Sequence, residues 1–457
     1  MLGFTLAQCL GMLPLVASTI LMNGQEKVTN YPDTKIDIAE SSFKTYQANA
    51  TEISYQGRWD SNHVSWWSAP GLRLGFTGQT LAITFGNSTS SGVLVGYRIG
   101  GLDWNFTNAT AGGTHLLVTP STPGANETWP FDPLTFELRV TNWAYGVQIA
   151  AVHVAAGEKL VRLPSLGRRI EVIGDSLAAG MYTSYEGLSS WAYALGAGLG
   201  DTEYSVTAYP GICAADQDCW GNPRGQAHQW FYTSDTSGRA VAMYGDDPEP
   251  WDFKKNPAAD IVVINIGTND QNAANNVSTA TYIDALTKII EGVHGKWPKA
   301  QVIVMVGHTD SPPLIRSHIL KFTAAKSLWL GFYQSGNSYF PSASQGFEKE
   351  IYAMYQYFNS DAYLANPVIW DGTTNKTTSS TACGSNKTAA PFVHYFNTTG
   401  ILQHNDIGPQ YHPTDVGAVK IASHLIQYIK IKFGWELRAT GPEVLHDTLY
   451  WNDQQYY

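Results

Sequence analysis

The chain carries two patterns of apolar and polar positions, and the change between them comes near Leu163. Upstream, short runs alternate with period two. Leu72-Arg73-Leu74-Gly75-Phe76 and Leu81-Ala82-Ile83-Thr84-Phe85 are the clearest, set apart by the turn-forming Thr77-Gly78-Gln79-Thr80. Residues 93–99 and 136–140 continue the alternation. Closely spaced short strands with Gly-rich turns predict an antiparallel β-sandwich over residues 38–163.

Downstream, alternation gives way to solid apolar runs. Arg169-Ile170-Glu171-Val172-Ile173 leads into Gly174-Asp175-Ser176-Leu177. Residues 261–266, five of the six β-branched, lead into Gly267-Thr268-Asn269-Asp270. Val302-Ile303-Val304-Met305-Val306 leads into Gly307-His308-Thr309-Asp310. Runs of this kind suit parallel strands buried on both faces. Near the end, Val416, Val419, Ala422, Ile426 and Ile429 recur at helical spacing and predict a docked amphipathic helix just after His412-Pro413. The expected fold class is α/β: the sandwich, then a doubly wound domain over residues 164–434, then a tail at 435–457. Two cores suit a chain of 457 residues.

Ligands of an open α/β sheet bind beyond the carboxyl ends of its strands. Ser176 stands at one such end. Gly211, in Tyr209-Pro210-Gly211 about one βα unit further on, offers a backbone N–H that a substrate oxygen can approach closely. Asn269 adds a neutral, short amide donor suited to a developing oxyanion. His412, just ahead of a helix, is well placed as a general base. His308 is the rival imidazole at a strand end, and a structural or substrate-contacting role is expected for it. Tyr411, beside His412, is a candidate substrate contact. Taken singly these are ordinary turns; their number and order carry the signal.

The four blocks, in the order Ser, Gly, Asn, His, resemble the SGNH (GDSL) hydrolase superfamily of serine esterases over about residues 169–431. The resemblance implies that Ser176 is the nucleophile, His412 the general base, and the oxyanion hole the Ser176 N–H, the Gly211 N–H and the Asn269 side chain. Trp251-Asp252-Phe253 and the β-rich segment ahead of the serine look like carbohydrate esterase family 2. Members of that family join a jelly-roll-like β-domain to an SGNH domain and remove acetyl groups from polysaccharides, and this chemistry implies no cofactor. There is one departure. The superfamily usually carries an aspartate three residues before the histidine, and family 2 members often carry one two residues before; here those positions hold Pro409 and Gln410. A base imidazole needs an acceptor at Nδ1–H to fix its tautomer. A backbone carbonyl or Gln410 Oε1 is the expected acceptor, giving a Ser-His dyad, with Asp406 as the alternative third member.

Composition narrows the context. Only 14% of residues are charged, while Trp (15) and Tyr (25) are abundant, a profile of compact glycan-handling proteins rather than disordered ones. The net charge of −10 disfavours nucleic acid and anionic membrane as partners and says little about a neutral glycan. The first charged side chain is Glu26, and residues 1–22 are almost wholly apolar, with a small-residue cleavage site at Val16-Ala17-Ser18. This reads as a secretory signal peptide, residues 1–18, with an uncleaved anchor as the alternative. Nine Asn-x-Ser/Thr sequons, at Asn49, Asn87, Asn105, Asn108, Asn126, Asn276, Asn375, Asn386 and Asn397, agree with a secreted, extracellular glycoprotein. Residues 371–400, with three of them, read as a glycosylated surface insertion near the histidine. Beyond Cys9 there are Cys213, Cys219 and Cys383, so either Cys213–Cys219 or Cys213–Cys383 is allowed. No Cys/His cluster has metal-ligand spacing.

Three functions follow: a secreted deacetylase of polysaccharide or oligosaccharide, expected as a monomer; a lipase or lysophospholipase of the same superfamily; and a catalytically degraded glycan-binding wall protein, suggested by the missing aspartate. Trp59, Trp66 and Trp67 are expected to fill the sandwich core or the domain interface, with a sugar platform as the alternative.

Overall fold

The structure, a computed structural model, describes residues 21–22, 25–26, 31–126, 134–245, 248–306, 347–372, 376–379, 390–398, 400–402 and 406–438. The expected signal peptide, His308, Asn375, Asn386, Cys383 and tail residues 439–457 lie outside them. Among the described residues no helix is long and apolar enough to cross a membrane.

The alternating runs build two antiparallel sheets. One has the order Asn105–Asn108, Leu94–Ile99, Leu134–Val140, Gly71–Phe76, Leu160–Val161; the other runs Lys35–Ile36, Thr114–Val118, Leu81–Phe85, Val147–Ala155, Phe43–Gln47. The neighbouring runs at 71–76 and 81–85 therefore lie in opposite sheets. Leu72, Leu74, Phe76, Phe136, Leu138 and Val140 point into a shared core with Leu81, Ile83 and Phe85.

The polar positions of these strands are buried or half-buried as well. Glu137 bonds Arg98 at 2.7 Å and Arg139 at 3.0 Å, and the Arg139 guanidinium lies 4.3 Å from the Tyr204 ring of the second domain. Burial acts to raise the Glu137 carboxyl, but the two guanidiniums overcome it and hold it at about 2. The period-two pattern thus marks two packed faces, one apolar and one an ionic seat for the second domain.

In that domain five strands are all parallel: β1 (Arg168–Gly174), β2 (Thr202–Ala208), β3 (Ile261–Asn265), β4 (Gln301–Val306) and β5 (Val393–Asn397), in the order β2-β1-β3-β4-β5. Their side chains alternate between two apolar layers. Ile170, Val172, Ile261 and Val263 pack with helices α2 (Trp191–Leu199) and α4 (Asp415–Phe433); Ile173, Val262 and Ile264 pack with α3 (Thr279–Lys296).

Helix α4 corrects the predicted stripe. Val416 and Val419 are exposed, and the buried line is Gly417, Ala418, Ile421, Ala422, Leu425 and Ile429. The Thr414 side chain caps the helix at the Gly417 N–H and sets its start, so small residues face inward at the first turn. Trp435 and Arg438, in the expected tail, are docked: the Arg168 guanidinium is 5.0 Å from the Trp435 ring, and the Arg438 N–H reaches the Leu199 carbonyl at 3.0 Å.

Trp66 and Trp67 are buried, and Trp59 nearly so, filling space rather than forming an open platform. At the domain boundary Arg58 is fully enclosed, 2.9 Å from Glu171 of β1 and donating to the Trp230 and Tyr232 carbonyls.

Candidate active site

The chain passes from β1 outward to β2 and then back across β1 to β3, so β1 is where the winding reverses. Gly174 pairs with Ala208 of β2 on one side and Asn265 of β3 on the other, which ends three strands at one level. The loops carrying Ser176, Gly211 and Asn269 leave from those three ends. A topological switch point of this kind is the general ligand crevice of such sheets.

Ser176 opens the short helix α1 (Ser176–Ala179), with Asp175 as its cap. The Asp175 carboxylate accepts the Leu177 N–H at 3.0 Å. Gly174 permits this sharp exit, since a Cβ there would lie 2.6 Å from that of Ala178. Burial pushes Asp175 up to about 7, against the Leu177 N–H and the Thr268 hydroxyl. The first N–H groups of a helix have no acceptor within it, so the Ser176 N–H suits an incoming oxyanion.

Gly211 has φ +83, a conformation suited to glycine, and a Cβ would meet Asn222 Nδ2 at 2.9 Å. The loop behind it is stapled by the disulfide Cys213–Cys219. Asn269, nearly buried, donates from Nδ2 to the Ile212 carbonyl at 2.8 Å, which orients the amide and leaves its second N–H for a substrate. Its own carbonyl is held by Asn275 Nδ2 at 2.8 Å.

Two clamps were not foreseen. Asp270 accepts the N–H groups of Ala214 and Ala215 at 2.8 and 2.9 Å, tying the asparagine loop to the glycine loop, and burial raises its carboxyl to about 6. Gln226 Nε2 bridges the Gly174 and Thr207 carbonyls at 3.1 and 2.7 Å, pinning the ends of β1 and β2. Asp270 was discoverable as a second Asx residue in the turn after β3; Gln226 left no sequence signal.

His412 is 4% exposed, as is Ser176. Its Nδ1 lies 3.1 Å from the Gln410 carbonyl oxygen. A carbonyl only accepts, so Nδ1 carries the proton and Nε2 is the basic nitrogen. Gln410 and Tyr411 both have positive φ, +49 and +64, and such strain in non-glycine residues gathers at functional loops. Burial lowers His412 to about 4, against the Gln410 and Pro409 carbonyls, and so keeps it neutral above that pH. Asp406 carries its buried carboxylate to Lys420 Nζ, at 2.8 and 2.7 Å. Its backbone carbonyl takes the Thr414 N–H at 2.8 Å, bracing the loop.

The serine and histidine segments meet through Tyr182, whose ring stands edge-on to His412 at 5.0 Å. The Ser184 N–H also bonds Asp415 Oδ1 at 2.8 Å, joining the loop after α1 to the start of α4. Aromatic surface rims the site. Trp220, directly after the disulfide, is 56% exposed and its Cβ lies 3.2 Å from where a Gly211 Cβ would sit. Tyr411 is 48% and Tyr182 37% exposed.

The family of GDSL-like lipases and acylhydrolases matches residues 172–327, a span that contains Ser176, Gly211 and Asn269 and stops short of His412. No curated protein matches the chain in sequence. Among solved structures, a family two carbohydrate esterase from Clostridium thermocellum in complex with cellohexaose is 20% identical. The likeness covers 84% of this chain and 99% of that one, with a TM-score of 0.57. A family two carbohydrate esterase from Cellvibrio japonicus is 15% identical over 86% and 99% of the chains, with a TM-score of 0.59. An acetyl xylan esterase from Butyrivibrio proteoclasticus is 14% identical over 86% and 100%, with a TM-score of 0.58. At such identities the likeness establishes a shared two-domain fold. The strand-end serine, the sheet that carries it and the family match together show that residues 172–327 are similar to the GDSL-like lipases and acylhydrolases, within a two-domain fold shared with family 2 carbohydrate esterases.

Proposed function

We propose that the protein is a secreted serine esterase that removes O-acetyl groups from a polysaccharide. The observation that carries the reading is the arrangement at the switch point. Ser176, Gly211 and Asn269 leave three adjacent strand ends, and a neutral His412, its proton fixed on Nδ1, joins them through Tyr182. In this reading His412 Nε2 takes the proton from Ser176 Oγ as that oxygen attacks the ester carbonyl. The developing negative charge meets the Ser176 N–H, the Gly211 N–H and the Asn269 amide. Collapse expels the sugar alcohol, protonated by His412, and water attacks the acyl-serine by the same route.

A sugar substrate is supported by the open indole of Trp220 beside Gly211 and by the family two carbohydrate esterases that share the fold. Export fits the sequons: Asn49, Asn87, Asn108, Asn126, Asn276 and Asn397 are exposed and Asn105 is half-buried.

Hydrolysis of aryl esters of increasing acyl length, beside acetate release from acetylated xylan, tests the proposal. Acetyl esters should be turned over fastest, and Trp220→Ala should raise KM on xylan while sparing aryl acetate. Preference for long acyl chains would move the assignment to a lipase.

A further inference from the structure

A cavity of about 530 Å³ opens where the sandwich meets the catalytic domain, within the size range of small-molecule sites. It lies toward the amino ends of the strands: Arg169 and Glu171 of β1 and Glu203 and Ser205 of β2 line it. None of Ser176, Gly211, Asn269 and His412 lines it, and its nearest β1 residue, Glu171, stands three residues before the strand end, about 10 Å at ~3.3 Å per residue, with Ser176 two residues further on. This cavity is therefore distinct from the site at Ser176.

Its walls combine aromatic surface with balanced charge. The sandwich contributes Tyr55 and Trp59, with ring centres 4.9 Å apart, and the 251–259 loop contributes Trp251. Tyr55 and Trp251 are half-buried, so each keeps part of its ring open. Trp251 is held by the enclosed Arg58 guanidinium 5.3 Å from its ring, which fixes the wall in place. Asp60, Glu171 and Glu203 face the cavity, as do Arg162, Arg169 and Lys255. The acids are already engaged: Glu171 with Arg58 at 2.9 Å, Glu203 with Arg169 at 3.1 Å, and Asp60 with the Tyr244 hydroxyl at 2.6 Å. Aromatic faces set among acidic and basic groups that balance in number suit a ligand with apolar C–H faces, many hydroxyls and no net charge.

We propose that this cavity is a second saccharide-binding site, which takes a neutral oligosaccharide and is separate from the catalytic centre. It extends the reading of a polysaccharide-acting enzyme: a polymer reaching both sites would be held at high effective concentration.

The test is calorimetric titration of the full chain with xylohexaose, repeated on Trp251→Ala, Lys255→Ala and Trp220→Ala. Trp251→Ala should weaken a binding event at least about 10-fold, as expected for loss of an aromatic anchor, with kcat on aryl acetate unchanged. Lys255→Ala alters an exposed residue and spares the fold, and it should weaken the same event by a smaller factor. A hexamer of galacturonate should bind more weakly than xylohexaose. Unchanged affinity in both cavity variants would overturn the proposal, as would loss confined to Trp220→Ala, no binding by the parent, or tighter binding of the galacturonate. Acetate release by the parent is read separately, so failure of the esterase reading and failure of the cavity site are told apart.

Discussion

At the scale of residues, the character of the site turns on His412. Burial holds it at about 4, well below the usual histidine value, so the imidazole is a neutral base through mildly acidic conditions. The acid limb of kcat/KM on an aryl acetate is expected near pH 4; a limb near 6.5 would mean the ring is more hydrated than its surroundings imply. The same shift couples to stability. Between pH 6.5 and about 4 the unfolded chain binds a proton that the native histidine refuses, so this residue makes stability fall as pH drops through that window. Its orientation comes from the main chain. Gln410→Ala keeps the carbonyl that meets Nδ1 and should leave kcat nearly intact. Asp406→Ala should lower Tm, because it removes a buried, ion-paired side chain from the loop, yet cost less than about 10-fold in kcat, whereas loss of a triad aspartate costs about 10⁴. A loss of several thousand-fold in Asp406→Ala would return the carboxylate to the catalytic machinery.

At the scale of elements, the loops that hold the proposed oxyanion donors are tied together. Asp270 joins them by two hydrogen bonds to buried N–H groups, so Asp270→Ala leaves both donors unsatisfied, at about 1–3 kcal/mol each. A lower Tm should therefore accompany a fall in kcat larger than the change in KM; a change in Tm alone would limit Asp270 to a structural part. These two strands were legible because buried parallel strands favour apolar, β-branched runs, and 170–173 and 261–266 are such runs, broken only by Glu171 and Asn265. The serine and asparagine blocks were legible because each follows such a strand, and the histidine block because it precedes a helix; the glycine block follows Thr202–Ala208, whose mixed sequence gives no such signal. The inward face of α4 was not, because Val416 and Val419 offer the same spacing as the true stripe, and only the Thr414 cap and the contact with α2 choose between them. Trp220 and Tyr182 escaped notice because an isolated aromatic in a loop shows neither its neighbours nor its exposure.

At the scale of the whole molecule, alternation in residues 136–140 suggested a strand with one packed face, and the structure uses both. Arg139, polar in sequence, is buried against the second domain with the half-buried Glu137 as its partner, and Arg58 crosses the same boundary to Glu171. Breaking a buried ion pair on one side costs about 3–5 kcal/mol, because it leaves an uncompensated charge. Arg58→Ala should lower Tm and split thermal unfolding toward two transitions, while Arg58→Met with Glu171→Leu should recover much of the loss; a single unchanged transition in Arg58→Ala would show that the domains are joined elsewhere. In the proposed reading this architecture serves one nucleophile, Ser176, at the reversal point of the sheet. The most direct measurement is acetate release from acetylated xylan by Ser176→Ala beside the parent, with Tm recorded for both. Release should vanish from the variant while Tm stays within a degree or two of the parent, since removing one hydroxyl beside the cleft changes little packing, about 0.5 kcal/mol or less. Release near the parent's rate would contradict the account at its centre.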